Sequence, residues 1–213
     1  MNGRRIAGTL ACAAAYGFAL GSAHDLLYAT RNLVKFPLLI VVTTCVCAAS
    51  WWIVARTLGA RLGFLATQRV AWILFHDATV LLASLTPPVL FVALVLRFTD
   101  DGRLGEYDRF LGLNAALIAL CGSLALLRQA RALLATEGLP RGRARAIVAA
   151  WLLLSLAVGG QGSFYLRPLF GFPATRGARP PFFLGAEPDL RGATNFFEAI
   201  AQCFARPELP RFK

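Results

Sequence analysis

Charged side chains are scarce in this chain. They make up 15% of its 213 residues, where soluble domains carry about 25%. With apolar residues at 57%, that scarcity argues against a water-soluble globular fold. Histidine is nearly absent, with only His24 and His76. The five cysteines, Cys12, Cys45, Cys47, Cys121 and Cys203, include no C-x-x-C pair. A zinc site needs His and Cys at ligand spacing, so no metal is expected. Four of the cysteines fall inside apolar blocks and read as buried free thiols. Cys45 and Cys47 lie two apart on one expected helix, so they point to different faces. The sequence also holds no serine nucleophile elbow and no paired catalytic carboxylates. Gly159-Gly160-Gln161-Gly162 lacks the Lys-Ser/Thr of a phosphate-cradling loop. Neither an enzyme nor a bound cofactor is expected.

Acidic residues are scarcer than basic ones. The 22 Lys and Arg face 11 Asp and Glu, a net charge of +11. No basic helix with interleaved aromatics is present, so the excess does not point to nucleic acid. The arginines fall mainly between apolar blocks and in the C-terminal tail. There they read as orientation signals and as contacts to lipid head groups. No cleavable signal peptide is expected. Arg4 and Arg5 precede the apolar stretch from Ile6, but that stretch runs on through Gly21-Ser22-Ala23, past a signal's usual length. Cleavage after Ala23 is the alternative.

What the sequence does have is long apolar runs. A helix needs about 20 mostly apolar residues to cross the hydrocarbon core. Five stretches qualify: 6–23, 36–55, 70–96, 110–127 and 146–165. The third is longer than needed, and Pro87 and Pro88 predict a kink in its second half. The fold class that follows is all-α. Residues 1–166 form a polytopic helical membrane bundle of about five spans, and residues 167–213 a Pro/Phe/Arg-rich tail. No internal repeat is visible.

The basic residues give an orientation. Ten arginines, including Arg128, Arg131, Arg141, Arg143 and Arg145, fall on one side of the expected spans. The opposite short loops hold five basic residues, Arg31, Lys35, Arg97, Arg103 and Arg109, with acids Asp100, Asp101, Glu106 and Asp108 beside the last three. The positive-inside rule then puts the N-terminus in the cytoplasm and exports the tail. The tail's own seven basic residues pull the other way. The segment from Arg128 to Arg145 is expected along the cytoplasmic surface, its five arginines touching lipid phosphates.

Several residues invite a role. An ionisable group inside a span is costly, hence a functional candidate. His76 and Asp77 are the clearest, but neighbours on a helix diverge by about 100°. Asp77 shares a face with Ser84, so these residues are a candidate intramembrane polar site or proton path. Pairing of His76 and Asp77 with a loop arginine is the blander expectation. His24-Asp25 repeats the dipeptide beyond the first span. Asn114 and Gln161 read as interhelical hydrogen-bond partners. Gly17 and Gly21 form a G-x-x-x-G that packs helices, within the chain or across a dimer seam. In the tail, Asn195 is expected to cap a short helix starting at Phe196, with Phe196, Ile200 and Cys203 on one face. So many phenylalanines suggest a tail folded back onto the membrane surface, the helix ends or a partner. Arg167, Pro168, Asn195, Phe196, Phe197 and Glu198 are its candidate interaction motif.

The tail also carries a resemblance. Gly162-Ser163-Phe164-Tyr165-Leu166-Arg167-Pro168, then Gly171 and Pro173, Pro181-Phe182-Phe183, and Asn195-Phe196-Phe197-Glu198-Ala199 look like the C-terminal signature of a group of uncharacterised bacterial polytopic membrane proteins. Further matches are Tyr16-Gly17 with Gly21, Lys35-Phe36-Pro37-Leu38-Leu39, and Ala83-Ser84-Leu85-Thr86-Pro87. One departure is Tyr165, where that group usually has Trp. More distantly, the layout resembles Yip-domain membrane proteins, which implies five spans and a cytoplasmic N-terminus. The vesicle trafficking of eukaryotic Yip members does not carry over. The function expected is a non-enzymatic scaffold or accessory subunit. It would be surrounded by membrane lipids and associate with other membrane proteins or its own copies. A small transporter or channel using His76 and Asp77 is the alternative.

Overall fold

The computed structural model describes residues 3–96, 104–135, 138–169, 181–185 and 192–205, without the side chains of 104–108 and 203–205. The expectations placed on Gly171 and Pro173, on the acidic loop side chains and on the Cys203 side chain lie outside these residues. All regular structure among the described residues is helical. The helices are α1 (Gly3–Gly21), α2 (Leu26–Thr57), α3 (Phe64–Ser84), α4 (Thr86–Leu96), α5 (Leu104–Ala135), α6 (Arg141–Tyr165) and α7 (Phe196–Ala205).

Three of them are long and apolar enough to cross a membrane: α2, α5 from Arg109 and α6. The α3–α4 pair, bent by 51°, makes a fourth if it is one broken span. In lipid a helix satisfies its own backbone, which is why such runs take this form. The first expected span does not reach the same standard. α1 is helical, but Arg4, Arg5 and its many Ala and Gly residues dilute its apolar run.

Helix boundaries depart from the sequence expectations in instructive ways. α2 starts ten residues before Phe36, because Asp25 caps it: its carboxylate accepts the Tyr28 N–H at 2.8 Å. Arg31 and Lys35 therefore lie in α2, not in a loop. Pro37 is accommodated inside the helix. The expected kink does occur, but at Leu85. Pro87 and Pro88 fall in the first turn of α4, where missing N–H groups cost least. The expected surface segment from Arg128 to Arg145 is mostly helix. Arg128 and Arg131 lie in α5 just before its last turn, and Arg141, Arg143 and Arg145 start α6.

α1 lies against α2, α3 and α4, and α2 also packs on α3 and α6. α5 bridges α3 and α6, and α7 rests on α6. Aromatics fill the interior. The Trp51 and Trp151 rings stack with centroids 5.0 Å apart, and Trp151 Nε1–H donates to Trp51 O at 3.0 Å. Phe75 lies parallel to Trp51 at 6.4 Å. Tyr16 contacts Phe36, and its hydroxyl donates to Asn114 Oδ1 at 2.9 Å. That bond ties α1 to α5, as expected of Asn114. Cys47 is buried and Cys45 exposed, so the two do face apart.

Candidate functional site

Tyr28, Arg31, Asn32 and Lys35 recur at three- and four-residue spacing in the first turns of α2. On a helix that spacing makes one face. Lys35 has no accessible side-chain surface. Its Nζ donates to Pro168 O at 2.9 Å. It also stands 4.9 Å from the Phe182 ring centroid and 5.5 Å from that of Phe183. No carboxylate among the described residues pairs with it. Its charge is met by a carbonyl dipole and two π faces instead. Asn32 Nδ2 donates to Leu169 O at 2.5 Å. Arg31 reaches Pro181 O at 3.5 Å and lies 5.9 Å from the Phe182 ring.

The other half of this clasp is built by the end of α6. Arg167 turns back on its own helix: Nε donates to Phe164 O at 2.7 Å, and the guanidinium lies 3.4 Å from the Phe164 centroid. Pro168 follows through a cis bond. Residues 181–185 then return alongside. Leu184 N–H donates to Arg167 O at 2.9 Å and Gly185 N–H to Tyr165 O at 3.2 Å. This pairing holds Phe182 and Phe183 over Lys35.

α7 docks close by on α6. Asn195 Oδ1 accepts the Glu198 N–H at 2.9 Å, so Asn195 does cap the helix. Glu198 Oε2 in turn accepts from the Thr194 N–H at 2.9 Å and its hydroxyl at 3.0 Å. This reciprocal pattern is close to a capping box. Phe196 lies in the notch left by Gly160, where a Cβ would come within 2.5 Å of its ring. Gln161 Oε1 accepts the Phe196 N–H at 3.3 Å. Gln161 thus joins α6 to the tail. Phe197 faces outward.

The other sequence candidates are distributed. His76 and Asp77 point to different helices. His76 Nδ1 meets Thr9 Oγ1 of α1 at 2.9 Å. Asp77 Oδ2 accepts from Gln129 Nε2 of α5 at 2.6 Å. Ser84 is exposed and donates to Leu81 O of its own helix. The three are not brought into one polar cleft, and neither partner is a loop arginine. His24 lies 3.5 Å from Asp25. Among the described residues no group of three His, Cys, Asp or Glu is gathered for a metal. Arg128, Arg131, Arg141, Arg143 and Arg145 are all exposed. Gly17 and Gly21 press against α2: a Cβ on Gly17 would come within 2.5 Å of Asn32 O, and one on Gly21 within 2.5 Å of the Tyr28 and Ala29 backbone. The G-x-x-x-G is therefore used inside the chain.

No family model, curated protein or solved structure matches the chain.

Sequence reasoning missed Asn32, Lys35 and Gly160. A signal for the first two was present. Asp25 before Leu26-Leu27 is a cap followed by an apolar run, and Asn32 and Lys35 are one turn apart among apolar residues. Gly160 gave no signal, because the ring that fills its notch comes from a distant segment.

Proposed function

We propose that the protein is a non-enzymatic, multi-pass membrane scaffold that presents a folded C-terminal cap to partner membrane proteins. In this reading α1, α2, the bent α3–α4 pair, α5 and α6 make five spans of a bacterial inner membrane. The N-terminus and the arginines flanking the α5–α6 turn face the cytoplasm, and the cap faces outward. The resemblance to the bacterial group and to Yip-domain proteins is what favours counting α1 as the fifth span.

One observation carries the proposal: Lys35 is withdrawn from water to hold the tail. Dehydrating an ammonium costs several kcal/mol even after relaxation. A carbonyl and two rings return part of that, at about 0.5–2 kcal/mol per ring. Such an arrangement fixes a surface rather than an anchor alone. The surface so fixed leaves Tyr165, Phe182, Phe183 and Phe197 partly exposed, the last at 55%. Aromatics in well-fixed positions are the usual anchors of an interface. Two features favour a scaffold over a conduit. The carboxylate of Asp77 is bonded to Gln129, and stacked tryptophans fill the bundle interior.

The test is affinity purification of the full chain in mild detergent, beside Lys35→Met and Phe197→Ala. A stoichiometric partner or a homo-oligomer is expected with the wild type and is weakened in both variants. A wild-type chain that purifies alone and monomeric would sink the scaffold reading.

A further inference from the structure

A second site lies at the opposite, arginine-rich end, between α1 and α3. The cleft there is lined by Arg5, Ile6, Thr9, Trp72, Ile73 and His76. Its chemistry can be read from one hydroxyl. Thr9 Oγ1 lies 2.9 Å from Arg5 O, one helical turn back, and 2.9 Å from His76 Nδ1. A hydroxyl has one proton to donate and two lone pairs. Arg5 O can only accept, so it takes that proton. Thr9 must then accept from His76, which puts the imidazole proton on Nδ1. In the neutral imidazole Nε2 is then left as a bare acceptor, and no described residue donates to it.

The surroundings of that acceptor are specific. Arg5 is exposed on the same cleft, and Arg69, also exposed, precedes Trp72 by about one turn. Ile6, Trp72 and Ile73 give the cleft apolar walls. A ligand matching this set carries a negative charge, a hydrogen-bond donor close to it and a hydrocarbon chain. We propose that the cleft binds an anionic phospholipid with a hydroxylated head group. Arg5 takes the phosphate, His76 Nε2 accepts from the head-group hydroxyl, and the Ile6, Trp72 and Ile73 walls flank the first methylenes. The proposal rests on the membrane reading above, with α1 as a span and its arginines at the cytoplasmic interface.

Trp72 supplies the readout. The full-length protein is placed in vesicles containing one chain-brominated lipid, which quenches a nearby indole. Three lipids are compared: phosphatidylglycerol, phosphatidylethanol (the same charge without the hydroxyl) and phosphatidylcholine (no net charge). The signal of Trp72→Phe is subtracted to isolate Trp72. Half-quenching is expected at the lowest mole fraction with phosphatidylglycerol. The gap is about threefold to phosphatidylethanol, for one neutral hydrogen bond. A further gap of about fivefold to phosphatidylcholine is expected for the loss of net charge opposite one arginine. Arg5→Gln, an exposed change that leaves packing intact, should remove the second gap. His76→Asn keeps an N–H for Thr9 but is too short to place an acceptor where Nε2 lies, so it should remove the first gap alone. Equal quenching by all three lipids, or an unchanged phosphatidylglycerol preference in His76→Asn, overturns the proposal. Absence of quenching by every lipid, including chains brominated at several depths, would instead overturn the membrane reading, and the site with it.

Discussion

At one end of the bundle Lys35 is covered by Pro168, Phe182 and Phe183, while at the other Arg128, Arg131, Arg141, Arg143 and Arg145 all stand exposed. The same sign of charge is used in opposite ways. The difference lies in what the chain supplies to cover it. The end of α6 and the returning 181–185 segment bring carbonyls and rings to Lys35. At the arginine end α5 closes at Ala135 and α6 opens at Arg141, and among the described residues the five guanidinium groups stand exposed. Packing follows the same division. Gly17 and Gly21, toward the clasped end, touch the α2 backbone, whereas Gly8, toward the arginine end of α1, has nothing within 4 Å of where a Cβ would lie.

That contrast in packing predicts the largest effect. Gly21→Ala forces a Cβ to within 2.5 Å of α2 backbone atoms, which cannot swing aside as a side chain can. A loss of about 3 kcal/mol is expected, at the upper end for overpacking. Gly8→Ala should be neutral or should gain up to about 1 kcal/mol through helix propensity. Unfolding by denaturing detergent, followed by circular dichroism, measures both. Similar losses in the two variants would erase the distinction between the ends.

Next in size is the clasp. Lys35→Ala leaves Pro168 O without its donor and opens space beneath two rings. About 2 kcal/mol is expected, the range for a hydrogen bond from a charged group. Lys35→Met fills the space and avoids burying a charge, so it should cost less. In both variants a cysteine at Leu184 should label faster than in the wild type. Faster labelling in neither would mean that Lys35 does not hold the tail.

How much of this could be read from the sequence varies with the range of the interaction. Local signals were legible. The Asn195 cap, the helix start at Phe196, the Pro87-Pro88 kink and the opposed Cys45 and Cys47 all depend on neighbours within a turn or two. Lys35 was misread because a basic residue before Pro37 looks like the edge of a span. Its burial depends on a carbonyl 133 residues away. α1 was harder still. Its small residues dilute its hydropathy, yet they are what let it approach α2. The pairing of His76 with Thr9 and of Asp77 with Gln129 followed from their divergence on α3, but the partners did not.

A smaller effect tests the α7 contact. A Cβ at Gly160 would collide with the edge of the Phe196 ring, the end of a side chain that can rotate. Gly160→Ala should therefore cost only about 1 kcal/mol. It should loosen α7 without melting the bundle, seen as faster hydrogen exchange at 196–205 alone.

The smallest stability effect belongs to the exposed arginines. Changing Arg128, Arg131, Arg141, Arg143 and Arg145 together to Gln should shift stability by about 0.5 kcal/mol per site or less, because such surface positions are nearly neutral. Their consequence is expected in orientation instead. The change leaves five basic residues on the expected cytoplasmic side, level with Arg31, Lys35, Arg97, Arg103 and Arg109 on the opposite side. The bias that sets topology is then gone, and the seven basic residues of the tail favour keeping it inside. A cysteine at Leu184, probed in intact cells with a membrane-impermeant reagent, should label uniformly in the parent chain and in a mixed fashion in the variant. Uniform labelling in both would mean that these arginines do not orient the chain. The exposed end would then have to be explained by what binds it, as the buried end is.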